Sequence, residues 1–164
     1  MNAWSLSISA AAFFVSIISF YYSRRAWSES NRPLVTARVS SLGMGGNIAI
    51  PLSIVVENTG NRPAKNIRLT VKREQLNSAL TDKRSDSLKR QVEACFSDQG
   101  LIPVIANGKQ VSNSFGVLGE DESTWRLDWL DIEVSYQDLD GRSFSHKLPL
   151  KIGEDAGFAS GFWK

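Results

Sequence analysis

The stretch from Ala3 to Ser23, AWSLSISAAAFFVSIISFYYS, carries no charged residue. A helix of this length, rising about 1.5 Å per residue, runs about 30 Å, the thickness of a bilayer's hydrocarbon core. A buried core helix is usually shorter and shows a polar face, so the run reads as a single transmembrane anchor over residues 1–25. A secretory signal carries its positive charges ahead of the apolar run, whereas here Arg24 and Arg25 follow it. By the positive-inside rule these arginines, with Arg32 and Arg38 behind them, hold their side in the cytoplasm. The expected placement is a single pass through the inner (cell) membrane, N-terminus outside and C-terminal domain inside. Trp4 at one end, and Phe20, Tyr21, Tyr22 and Trp27 at the other, fit the headgroup levels.

Within this run Ser5, Ser9, Ala12, Ser16, Ser19 and Ser23 recur at alternating spacings of four and three, which sets them along one helical stripe. Small residues let two helix backbones approach closely, and a period near 3.5 residues suits a left-handed pair. The stripe is therefore a candidate seam for self-association or for another membrane helix. Serines in such a helix also bond back to their own backbone, which is the structural alternative.

About 140 residues follow, enough for one domain with its own core. The formal net charge of +2 argues against a nucleic-acid binder. Charge is nonetheless uneven: residues 72–90 hold six Lys/Arg against three Asp/Glu, and residues 120–140 hold eight Asp/Glu against one Arg. Solvated or mutually facing surfaces account for both. Cys95 is the single cysteine, so no internal disulfide forms, in keeping with a reducing compartment.

Residues 26–32 read as a polar link and residues 33–152 as a β domain. Val35, Ala37 and Val39 alternate with polar neighbours, as do Ile48, Ile50, Leu52, Ile54 and Val56, the period of half-buried strands. Pro51 cannot donate to a ladder and marks an edge or a bulge. Gly43 to Asn47 is glycine-rich but lacks the Gly-Lys-Ser/Thr ending of a phosphate loop. Asn58 to Asn61 supply a turn before Ile67, Leu69 and Val71. Leu88, Val92, Cys95 and Phe96 stand at helical spacing, with Ser85 or Ser87 as N-cap, predicting one short inserted helix. Leu101 to Ala106 and Val111 to Val117 read as strands joined by a hairpin-type turn at Asn107-Gly108. Trp125, Leu127 and Trp129 share one parity and Leu130, Ile132, Val134 and Tyr136 the other, implying a bulge or bend. Phe144, His146, Leu148, Leu150 and Ile152 complete a last hairpin.

The segments RPLVTARV, LSIVVENTGNRPAKNIRLTV and WLDIEVSYQDLDGRSFSHKLPLKI together resemble small membrane-anchored bacterial proteins that carry an immunoglobulin-like or CARDB-like β-sandwich. Asn58, Gly60, Pro63, Ala64 and Ile67 fall on that group's turn and outgoing strand. The resemblance implies a mainly β fold, an immunoglobulin-like antiparallel sandwich behind the N-terminal helix. It brings no catalytic residue, and it hints at bacterial antiphage defence.

Catalytic, cofactor and metal sites are not expected. Asp138 and Asp140 before Gly141 lack the other ligands of a calcium loop and read as turn formers. His146 is the one histidine, on an apolar strand face, and Cys95 has no second cysteine to build a metal set. In the tail, residues 153–164, Phe158, Phe162 and Trp163 among glycines are candidate contacts to a partner or membrane. The expected function is a non-enzymatic, membrane-anchored module that recruits a protein partner at the cytoplasmic face through an edge strand or the tail. The partners implied are the lipid bilayer and a protein or a second copy, with no small-molecule substrate in view. The alternative is a membrane effector that oligomerises through its helix and perturbs the bilayer.

Overall fold

The computed structural model describes residues 3–41, 50–81, 86–119 and 123–152. The chain divides into two units, Met1–Arg32 and Pro33–Lys164. Helix α1, Ala3–Ser30, makes up the first. Its last turn is closed where both the backbone N–H and the Nδ2 of Asn31 donate to the Trp27 carbonyl, at 3.0 and 2.9 Å. Pro33 then disfavours helical backbone at the residue before it, and the chain turns extended.

The expected transmembrane span is corrected here: among the described residues, no helix is long and apolar enough to cross a membrane. Helix α1 is long, but serines 7, 9, 16, 19 and 23 dilute its apolar run, and it continues through Arg24, Arg25 and Glu29. Arg25 Nε and Glu29 Oε1 pair at 3.0 Å, so the helix end is a charged, exposed turn. The orienting role given to Arg24 and Arg25 presupposed a span.

The second unit is mainly β, in two antiparallel sheets. One holds β1 (Val35–Ser41), β2 (Ile50–Asn58) and β5 (Gln110–Leu118) in the order β1-β2-β5. The other holds β3 (Ala64–Val71), β4 (Ile102–Ile105), β6 (Trp129–Gln137) and β7 (Ser143–Lys151) in the order β4-β3-β6-β7. Alternation decides which side chains enter the core: Leu52, Ile54 and Val56 from one sheet join Ile67, Leu69, Ile132 and Val134 from the other in a single buried cluster. The ladder between β2 and β5 shifts register between Pro51 and Ser53, where proline has no N–H to give.

Among the described residues two α-helices, rather than the one helix expected, and a short 3-10 turn lie between β3 and β4. Helix α2, Arg73–Ala79, buries Leu76 and Ala79. Helix α3, Asp86–Cys95, buries Val92 and Cys95 as their spacing predicts, while Ser85 lies outside the described residues. Trp125 also departs from expectation. It belongs to no continuous strand with Trp129 but bridges Leu80, and its indole Nε1 donates to the Phe115 carbonyl at 2.8 Å. The buried N–H takes its partner from β5, and the ring lies against Phe115 at a 33° tilt with centroids 4.7 Å apart. Trp125 therefore faces the core whereas Leu127 and Trp129 are exposed.

A buried amide fixes where strands start and stop. Asn58 Oδ1 accepts from the N–H of Leu34 at 3.2 Å and of Gly60 at 3.1 Å. Its Nδ2 donates to the carbonyls of Arg62 at 2.7 Å and Ile105 at 3.2 Å. Losing a partner strands buried backbone groups, at about 1–3 kcal/mol each. Replacement of Asn58 by Ala is expected to cost about 3 kcal/mol in urea unfolding. Asn58→Asp is expected to cost at least as much, because a carboxylate then opposes two carbonyls.

Candidate protein-docking site

The candidate site is an apolar mouth of about 260 Å³ where the two sheets separate. Ile54 and Val56 of β2 and Leu69 of β3 form its floor, and Cys95 of α3 closes one end. Leu101, Ile102 and Pro103 line the β4 side, and Val111, Ser112 and Asn113 line the β5 side.

Connectivity creates the opening. Strands β4 and β5 follow each other in the chain but do not form the hairpin expected at Asn107-Gly108: they are edges of different sheets. The link from Ala106 to Lys109 crosses between them with Gly108 at φ 65°, a conformation costly for side chains other than glycine, asparagine or aspartate. It is pinned to the end of β2 by Gly108 N–H to the Asn58 carbonyl at 2.8 Å and by Asn58 N–H to the Lys109 carbonyl at 3.0 Å. At the other end α3 plugs the gap: Phe96 meets Phe115 edge-on at 5.9 Å, and Asn113 Nδ2 lies 3.6 Å from Cys95 Sγ.

The four edge strands are not equally protected. Pro103 in β4 and Pro149 in β7 remove backbone donors, a common way to blunt an edge. Strand β1 lies beside β7 of the opposite sheet. Strand β5 has no proline, and every residue from Gln110 to Ser114 is exposed. Val111 shares the inward parity of Phe115, yet it is 38 % exposed because it stands at the mouth. Across the opening Leu101 is exposed as well.

The residues singled out from the sequence are scattered. Ser9, Ala12, Ser16, Ser19 and Ser23 lie in α1, where the Ser16 hydroxyl donates to the Ala12 carbonyl at 2.8 Å, the back-bonded alternative. Ser5 also falls in α1, with Arg24 and Arg25 in its exposed C-terminal part. Phe158, Phe162 and Trp163 lie outside the described residues. His146 sits on the inner face of β7, edge-on to Tyr136 at 6.0 Å. Asp138 and Asp140 hold the β6–β7 turn: Asp138 Oδ1 accepts from the Arg142 N–H at 2.9 Å, and Asp140 pairs with Arg62 at 2.7 Å. That arginine holds the Asp140 carboxyl below the usual range. Of the expected residues that are described, only Cys95 touches the mouth. Val111 and Leu101 were hidden because their alternation reads as ordinary core, and only the divergence of β4 from β5 exposes them.

A family model described as Domain of unknown function (DUF8453) matches residues 3–154. The chain belongs to this family. The match takes in α1 together with both sheets, so helix and β unit are parts of one family architecture. No curated protein matches the chain.

Burial pushes the Cys95 thiol above its ordinary range, outweighing the Asn113 amide that favours the thiolate. A raised thiol value stabilises the fold below the unfolded value of about 8.5, and this contribution fades as pH rises through the folded one. Alkylation of Cys95 at pH 8 is therefore expected to be at least tenfold slower in the native chain than in urea. The urea midpoint should fall between pH 8 and 10, and a Cys95→Ala variant should lose most of that pH dependence.

Proposed function

We propose that this chain is a non-enzymatic interaction module that recruits a protein partner by taking an extended segment of it along β5. The observation that carries this reading is the half of an edge strand exposed from Gln110 to Ser114, without proline, beside an apolar mouth. Main-chain bonds to the edge supply affinity, and the mouth accepts alternate side chains of the added strand, the two halves of recognition by strand addition. A cavity of about 260 Å³ suits one or two aliphatic side chains rather than a larger cofactor. Absence of turnover is part of the same proposal: Cys95 is engaged with Gln91, Ser114 and Asn113, and His146 with Tyr136.

A displayed library of unstructured peptides, selected against the full chain, tests this. Selected peptides should carry apolar residues at alternate positions. Val111→Asp, which places a charge at the half-exposed rim, should weaken their binding by about tenfold or more, about 1.4 kcal/mol, while leaving the unfolding midpoint nearly unchanged. Binders indifferent to that substitution, or no binders at all, count against the proposal.

A further inference from the structure

Helix α1 leaves Trp4, Phe13, Phe14, Phe20, Tyr21, Tyr22 and Trp27 exposed by 62–82 %. At about 150–250 Å² apiece, these rings alone present on the order of 900 Å² per chain. That exceeds the largest apolar patch of an ordinary monomer, about 300–600 Å², and matches the roughly 800 Å² each partner gives to a stable complex. Ile8, Val15, Ile17 and Ile18 are exposed between them. At about 100° per residue the bulky side chains occupy roughly three quarters of the helix circumference, with the small residues in the remaining quarter. One neighbouring helix covers a single stripe, so a surface this wide needs at least two neighbours.

We infer that α1 is the assembly element of a homo-oligomer of three or more copies, packed helix against helix. A second copy is the occupant because it presents the same broad aromatic area and no opposing charge. From Trp4 to Ser23 the helix is uncharged, and Arg25 is neutralised within its own copy by Glu29. Identical helices therefore meet without like-charge repulsion along more than five turns. The inference is independent of what binds at β5.

Cysteine scanning of the full chain, one position at a time from Ala12 to Phe20 in a Cys95→Ala background, tests it under mild oxidation. Interchain disulfides should peak every 3.5 residues or so, and sedimentation of the parent chain should give a mass of three copies or more. Phe13→Ser/Phe14→Ser/Phe20→Ser, changed together, should lower that mass while the β unit keeps its unfolding midpoint. A monomer that forms no interchain disulfide in neutral vesicles or detergent overturns the inference and leaves lipid as the covering. Crosslinking of equal strength at every position overturns it as well, as the mark of unspecific aggregation.

Discussion

The β unit depends on one buried side-chain amide more than on any single apolar contact. Asn58 bonds at once to the approach to β1, to its own turn, to the approach to β3 and to the end of β4. The neighbouring backbone adds the start of β5. Apolar burial brings the two sheets together but is non-directional, and it does not say at which residue a strand ends. A fully satisfied amide does, because any slip in register leaves buried donors and acceptors unpaired. The crossover from β4 to β5, and with it the opening between the sheets, is set by that constraint.

Much of this architecture is legible in the residue pattern, for a simple reason. Alternation of apolar and polar residues reports which face of a strand is buried, and Leu52, Ile54 and Val56, or Leu130 to Tyr136, point inward as their period demands. Helix α3 is likewise announced by Val92 and Cys95. What pattern does not carry is partnership between distant segments. Trp125 shares parity with Trp129 in the sequence, yet its indole N–H is claimed by Phe115 and the residue leaves the strand register. The short helix α2 buries only Leu76 and Ala79, too few positions to establish a period.

The helix and the mouth were obscured in opposite ways. Lack of charge over Ala3–Ser23 suggests a membrane span, but hydropathy is an average over a window, and regularly placed serines with a charged C-terminal turn lower it. The helical periodicity is real, but no helix long and apolar enough to cross a membrane is found among the described residues. At the mouth the apolar letters of Val111 and Leu101 are equally real and suggest core. Their exposure comes from β4 and β5 joining different sheets, a fact of topology with no local signature.

The attachment point of the helical unit also has a mechanical meaning. The chain enters the β unit at Pro33, and the next residue, Leu34, is held through its N–H by Asn58 and through its carbonyl by the Thr59 N–H at 2.9 Å. Tension transmitted from Arg32 thus arrives first at a corner bonded to both Asn58 and Thr59 rather than at a frayed strand end. Force applied along the β1 axis at that end would load the ladder from Val35–Asn58 to Ser41–Leu52 in shear, its rungs together.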